Sequence, residues 1–404
     1  MLLSSRGRRI GGRVALGVVS TLVLAATGYA WSQLSKLDDG IVTADVIPPA
    51  AQIDDDTVAI GEPLKVAQNL LLVGIDARTD AYGNPLPQSV LDALHAGSGD
   101  DGGDTTDTMI VVHIPAGGAA ATAISIPRDS YVDIAGGYGK HKINSAYSRG
   151  KNASMSDLRA QGLSGAQLEV AANQAGAKTA IQTVEKFTGL TINHYAAINL
   201  AGFDALSQAV GGVEVCLKEP VHDTYSGADF PAGPQTLTGA QALAFVRQRH
   251  GLPGGDLDRI ARQQAFLSGM AKNLLNAGTF TSPSKLNALV GAVQGAVVLD
   301  RGWDVLSFAQ QLRGMTSGAI GFATIPVQSL SLQTPSDGDA VKVDPGQVQQ
   351  FVRTAISTPA VQASGDEVAG GVKPVAATGT TPPSGTPGTT QKQPATSSAA
   401  GCVN

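Results

Sequence analysis

The densest reactive grouping in this 404-residue chain is a run of arginines. Arg247, Arg249, Arg259 and Arg262 fall within 16 residues (RQRHGLPGGDLDRIAR). In an extended segment Arg247 and Arg249 point to one face. On a helix Arg259 and Arg262 share a face at i, i+3. The loop Gly251–Gly255 can fold the two pairs toward each other. Guanidinium forks match phosphate oxygens in pairs, so this spacing suits a phosphate-rich anion. A set of surface ion pairs with Asp256 and Asp258 is the competing reading. Carboxylates add a second ingredient. Asp76 follows the apolar run NLLLVGI, and Asp107 precedes the run TMIVVHIP. Ligand groups in open α/β sheets gather beyond strand carboxyl ends, which suits Asp76. Asp107 starts its strand, so it joins Asp76 only if the two strands run antiparallel. Two carboxylates beside a phosphate site are what Mg²⁺ or Mn²⁺ needs. Strand-end Asp residues are also ordinary turn formers, and that reading stays open. Arg128-Asp129 ends the run ATAISIP and could face the same cleft.

No GxSxG, HExxH, CxxC or GxxxxGK[ST] motif is present. Gly136–Lys140 (GGYGK) looks like a phosphate loop, but His141 follows Lys140 where Ser or Thr belongs, and a glycine-rich turn explains it better. No residue stands out as a nucleophile.

Several elements must position these groups. Asn69–Gly74, Thr108–Pro115 and Ala121–Pro127 read as strands, the last two joined as a hairpin through Gly117-Gly118. Ala166–Thr188 has helical spacing and stops at Gly189. His194–Asn199 and Val213–Leu217 read as strands, with Ala201–Ala209 a helix between them closed by Gly211-Gly212. Thr238–Gln241 fits a capping box ahead of a helix to about Phe245. Asp256 or Asp258 can cap a helix running past Leu275. Interleaved strands and helices predict one α/β domain over 67–356, a three-layer α/β/α arrangement with a mixed central sheet.

The flanks predict the compartment. Residues 1–13 carry Arg6, Arg8, Arg9 and Arg13 and no acid. Val14–Trp31 then runs 18 residues without a charge, about 27 Å as a helix, enough to span a hydrocarbon core. The arginines place the N-terminus inside and the rest of the chain outside, as a single-pass membrane protein. A cleavable signal peptide is the alternative, and it too exports the domain. Residues 32–66, with Pro48, Pro49 and Pro63, read as a stalk, and 357–404 as a flexible low-complexity tail. An oxidising exterior permits a disulfide between the two cysteines, Cys216 and Cys402, and leaves it open. A net charge of −5 excludes a generally basic nucleic-acid binder, so no nucleic-acid partner is expected.

Taken together, NLLLVGIDAR (69–78), TDTMIVVHIP (106–115), AISIPRDSYVDI (123–134), KINSAY (142–147), INHYAAINLAGFDALSQAVGGVEVCL (192–217) and TLTGAQALAFVRQRHGLPGGDLDRIARQQAFL (236–267) resemble the LytR-CpsA-Psr family, actinobacterial in style. The resemblance implies a membrane-anchored phosphotransferase at the outer face of the cytoplasmic membrane. It would move a glycopolymer from a polyprenyl-pyrophosphate carrier to peptidoglycan through a phosphodiester bond. Teichoic acid, arabinogalactan and capsule all remain candidate polymers. The resemblance also implies that Arg78, Arg128, Arg247, Arg249, Arg259 and Arg262 hold the pyrophosphate with Gln263, and that Asp76 and Asp107 hold Mg²⁺. Arg247, Arg249, Asp76 and Asp107 would then carry the catalysis. The lipid would lie in an apolar tunnel, for which Phe187, Phe203 and Phe245 are candidate lining residues, as they are for plain core. Where many members have Arg, two residues before Asp107, this chain has Thr105, for which Lys140 or Lys142 could substitute. The alternatives are hydrolysis of the lipid pyrophosphate, a non-catalytic envelope sensor or transcriptional attenuator, and a wall scaffold.

Overall fold

The structure, a computed structural model, describes residues 41–53, 65–99, 103–117, 120–275, 288–289, 291–292, 294–303, 320–357 and 401–404. The expected basic segment, the Val14–Trp31 span and most of the tail lie outside these residues. Among the described residues no helix is long and apolar enough to cross a membrane. The stalk expectation for 32–66 is corrected in its middle. Strand β1 (Val42–Ala44) joins the main sheet, and Ala44, Val46, Ile47 and Ala51 are buried. Burying a Val or Ile stabilises by roughly 1.5–3 kcal/mol, which outweighs the polar and proline-rich flanks.

Beyond it, the hydrophobic pattern dictates the strands. β2 (Gln68–Ile75) is the apolar run ending at Asp76. Helix α1 (Gln88–Ala93) follows, then β3 (Thr106–Ile114) and β4 (Ala121–Ser125), paired antiparallel as the expected hairpin. β5 (Tyr131–Ile134) and β6 (Gly139–Lys142) form another hairpin. Its turn holds Gly136 and Gly137 at φ 84° and 83°, so GGYGK is glycine-rich because the turn needs positive φ. α2 (Ser145–Ala160) and α3 (Gly165–Thr188) then pack in close contact. Gly150 makes that approach possible, since a Cβ there would lie 2.2 Å from Thr179 Oγ1.

The remaining elements are β7 (His194–Asn199), α4 (Leu200–Ala209), β8 (Val213–Leu217), β9 (Val221–Asp223), β10 (Ala228–Phe230), β11 (Gly233–Leu237), α5 (Gly239–Arg247), α6 (Asp256–Leu275), β12 (Val297–Asp300), β13 (Ile320–Thr324), β14 (Ser329–Thr334), β15 (Gly338–Lys342) and α7 (Pro345–Ser357). The main sheet is mixed, in the order β1-β12-β7-β2-β3-β4-β13. On one face Leu71, Val73, Val111 and Ile124 pack against Ile181, Val184 and Phe187 of α3 and Val348 and Val352 of α7. The opposite face carries Leu70, Ile114 and Ala121, flanked by half-buried Leu72, Val112, Ala196 and Ile320. Among the described residues no helical side chain belongs to this cluster. A second core, with Val213, Leu217, Leu243, Phe245 and Phe266, joins α4–α6 to the β8–β11 ribbon. Phe187, Phe203 and Phe245 all pack in these two cores, with Phe203 5.1 Å and Phe245 6.5 Å from the Phe266 ring.

One local expectation changed. Thr238 sits at the N-cap of α5, but its side chain makes no capping hydrogen bond. Instead the Gly239 N–H donates to Ser207 Oγ of α4 at 2.7 Å, which docks the two helices. β8 stands outside the main sheet and pairs with β11. The cysteine question is answered: Cys216 and Cys402 are disulfide-bonded across a separation of 186 residues. Val403 then runs alongside β8, donating to Cys216 O at 2.9 Å and accepting from Lys218 N at 2.8 Å.

Candidate functional site

Asp107 meets the condition its position imposed. β2 and β3 are antiparallel, with Ile75 opposite Thr106 beyond an irregularity at Gly74. The Asp76 N–H donates to Thr105 O at 3.0 Å, which brings Asp76 and Asp107 to one end of the sheet. Arg78 Nη1 donates to Asp76 Oδ1 at 2.6 Å. Arg128 Nη1 donates to Asp107 Oδ1 at 2.5 Å, and Thr105 Oγ1 donates to the same oxygen at 3.1 Å. Thr105 therefore contributes a hydroxyl hydrogen bond to Asp107 and no charge.

Arg128 reaches this point because β4 ends at the same edge, and Asp129 beside it becomes a hub. Its carboxylate lies 3.3 Å from Lys142 Nζ, 3.5 Å from Arg249 Nη2 and 3.8 Å from Arg128 Nε. Asp256, at the start of α6, pairs closely with Arg259 and lies 4.0 Å from Arg249 Nε. Five cations (Arg78, Arg128, Lys142, Arg249, Arg259) thus face four carboxylates (Asp76, Asp107, Asp129, Asp256). Burial works against the Arg128 charge, but Asp107 and Asp129 outweigh it and raise its pKa. For Arg259 burial wins and lowers the pKa, and burial likewise raises that of Asp256 against the pull of Arg259. The buried Nε groups of Arg78, Arg128 and Arg259 have no hydrogen-bond partner among the described residues. Buried donors in native structures are rarely left unpaired, so these three are suited to a ligand oxygen.

Other predicted residues are engaged elsewhere. Arg247 Nη1 donates to the carbonyls of Leu94 and His95 at 3.1 and 3.3 Å. Arg262 is fully buried, donates to Gln248 Oε1 and to the Asn404 carbonyl, and stacks 5.1 Å over the Phe245 ring. Burial pushes its pKa down to about 10. Gln263 Nε2 donates to Val246 O at 3.3 Å. Of the lysines proposed to stand in at Thr105, Lys142 lines the cleft, whereas Lys140 is exposed on the β5–β6 hairpin opposite Asp133. The cleft, of about 400 Å³, runs between Lys142, Arg249 and Gly254–Asp256 on one side and Leu330, Asp339 and Val341 on the other. Sequence reasoning missed the β14–β15 wall, because SLSLQT and GDAVK carry no motif. Backbone pairing puts it there: Val341 N donates to Asp129 O at 2.8 Å.

A divalent cation fits the donor chemistry in one way only. Among the described residues no group of three or more His, Cys, Asp or Glu side chains forms a metal cage. Asp76 and Asp107 are each held by arginine through Oδ1. Mg²⁺ needs only one or two carboxylates when phosphate and water complete its shell, so the pair suits a metal that arrives with a phosphorylated ligand.

The LytR_cpsA_psr family model matches residues 50–354. The cell wall biosynthesis protein LcpA of Corynebacterium glutamicum is 43% identical over 346 residues, 85% of this chain and 65% of that protein. The chain therefore spans just under two-thirds of that relative's length. The polyisoprenyl-teichoic acid–peptidoglycan teichoic acid transferase TagU of Bacillus cereus is 28% identical over 281 residues, 69% of this chain and 75% of that protein. Among solved structures, TagV of B. subtilis superimposes with a TM-score of 0.51 at 24% identity, covering 72% of this chain and 98% of that one. TagT bound to LI-WTA gives 0.51 at 18% identity, covering 77% of this chain and 94% of that one, and so speaks to the fold.

Proposed function

The chain belongs to the LytR_cpsA_psr family, and from that membership we propose that it transfers a cell-wall glycopolymer from a polyprenyl-pyrophosphate carrier to peptidoglycan. The observation that carries this reading is the array of five cations against four carboxylates, with three buried guanidinium Nε groups that have no hydrogen-bond partner among the described residues. That array is suited to a pyrophosphate. In the reaction an acceptor hydroxyl oxygen attacks the phosphorus that bears the glycopolymer. The bond from that phosphorus to the bridging oxygen breaks, polyprenyl phosphate leaves with that oxygen, and the hydroxyl proton passes to solvent. Such transfers depend on in-line positioning and charge neutralisation more than on covalent participation.

Arg128 and Arg259, fixed by Asp107 and Asp256, hold the phosphates in place. Arg249 and Lys142, on the open side of the cleft, meet the charge that develops on the transferring group. Asp129 keeps those two cations and Arg128 at a fixed spacing. Mg²⁺ held by Asp76 and Asp107 would neutralise phosphate charge and polarise the phosphorus. The half-buried aliphatic strip Leu72, Val112, Ala196 and Ile320 suits a lipid approaching along the sheet. Anchoring through Val14–Trp31 would hold the domain outside the membrane, beside that lipid.

The test uses the full chain in detergent, a lipid-pyrophosphate-linked saccharide, Mg²⁺ and peptidoglycan. A phosphodiester-linked product that a chelator abolishes is expected. Release of free sugar phosphate regardless of acceptor would replace transfer with hydrolysis. Tight lipid binding without turnover would replace it with a sensing or scaffolding role.

A further inference from the structure

Beside the cleft lies an aromatic pair that the phosphate chemistry does not use. Tyr225, at the tip of the β9–β10 hairpin, is 74% exposed, the most of any large hydrophobic side chain among the described residues. Its ring lies 4.3 Å from the ring of His250 at an interplanar angle of 31°. His250 is itself exposed and directly follows Arg249 of the cleft.

The exposure is built in. Asp223, buried at the base of the hairpin, accepts from the Tyr225 N–H at 3.0 Å and from Ser226 Oγ at 2.7 Å. The same carboxylate lies 4.0 Å from His250 Nδ1. Gly227 closes the turn at φ 76° with the His95 ring packed against it. On the flank of the hairpin, His222 and Asp229 face each other as exposed cross-strand neighbours. Leu330, another of the four exposed large hydrophobics among the described residues, lines the cleft together with Arg249.

A rigid, outward ring with polar groups beside it matches the two-sided chemistry of a pyranose, which offers an apolar face of C–H groups and an equatorial belt of hydroxyls. We propose that Tyr225 and His250 form a stacking platform for a sugar ring of the acceptor glycan strand, placing its hydroxyl toward Arg249. This rests on the transferase reading above. The acceptor is favoured over the donor glycan because of where the platform sits. A sugar inside a covalent wall mesh can only be met by a protruding surface, whereas a lipid-borne chain with a free end can enter a recess.

The probe is a soluble tetrasaccharide of alternating N-acetylglucosamine and N-acetylmuramic acid, titrated calorimetrically into the full chain in detergent. Tyr225→Ala is expected to weaken binding about ten-fold and to raise the acceptor KM by the same factor at unchanged kcat. Tyr225→Phe should stay within about two-fold of wild type, and equal melting temperatures exclude misfolding. Unchanged saccharide binding in Tyr225→Ala overturns the platform, as does a rise confined to the donor KM. A wild-type chain that transfers but does not bind the tetrasaccharide overturns the platform and leaves the transferase reading intact. One that binds it in a Tyr225-dependent way without transferring keeps the platform and removes the transferase reading.

Discussion

Arg249 separates a ligand-binding role from a structural one, because the fold uses its side chain so lightly. The side chain is 40% exposed, and its ion pairs to Asp129 and Asp256 are long, at 3.5 and 4.0 Å. Pairs of that kind contribute about 0–1 kcal/mol to stability, so Arg249→Ala should melt close to wild type. Its guanidinium lines the cleft where a phosphate would sit. A bidentate phosphate contact adds two charge-assisted hydrogen bonds, each contributing roughly 1.5–3 kcal/mol. Their loss is roughly 3–6 kcal/mol, or about 10²–10⁴ in kcat/KM. Arg249→Lys keeps the charge without the fork and should fall between the two. The assay is transfer at subsaturating lipid donor, with thermal melts of each variant. Arg259→Ala is the contrast. That side chain is buried and paired with Asp256, so its removal strands a buried carboxylate, at a cost of about 3–5 kcal/mol of stability. Arg249→Ala at near-wild-type kcat/KM, with melting unchanged, would refute the placement of the phosphate. A large loss of stability in the same variant would refute the reading of its ion pairs.

Two further outcomes follow from buried groups elsewhere. His113 Nδ1 donates to Asn69 Oδ1 at 2.8 Å, and burial lowers its pKa from the ordinary 6.5. As pH falls below about 6.5 the unfolded chain takes up this proton first, so the stability His113 contributes is full above that pH and is lost as pH falls through the native pKa. Urea midpoints measured between neutral and mildly acid pH should therefore fall less steeply in His113→Gln, and parallel profiles would contradict this. Cys402→Ser should undock Val403 from β8 and expose the Lys218 amide, which now donates to Val403 O at 2.8 Å. Hydrogen exchange should accelerate at Lys218 and stay slow in β2 and β3; protection retained at Lys218 would show that the tail end docks without the bridge.

Period and composition made the sheet legible. NLLLVG, TMIVVHIP and ATAISIP became β2, β3 and β4 because an apolar run bounded by turn residues has one way to be buried. The same reasoning misjudged 42–51, where a three-residue strand is too short to show a period. Side-chain partners were much less legible. Arg259 and Arg262 share a helix face in sequence, yet Arg259 meets Asp256 three residues away and Arg262 meets Asn404, which is 142 residues away. Helical spacing says which residues are neighbours on a helix. It does not say which distant strand or chain segment comes to rest against them. Arg247 illustrates the same point, since its partners are carbonyls of the loop after α1, 153 and 152 residues away.

The carboxylates of the ion-pair array then acquire a physical purpose that counting arginines would not suggest. Five cations brought together and partly buried without counter-charge would repel one another and lose hydration, each at a cost of several kcal/mol. Asp76, Asp107, Asp129 and Asp256 reduce the net charge of the array to about +1, so it can assemble before any ligand arrives. The same neutralisation weakens the pull on a pyrophosphate. A divalent cation held by Asp76 and Asp107 would restore that pull, since it would draw both carboxylates away from Arg78 and Arg128 and leave their guanidinium groups to the phosphates. A metal and a pyrophosphate held in this way would bind cooperatively, each removing a cost that the other meets alone, and by linkage each would raise the affinity of the other by the same factor.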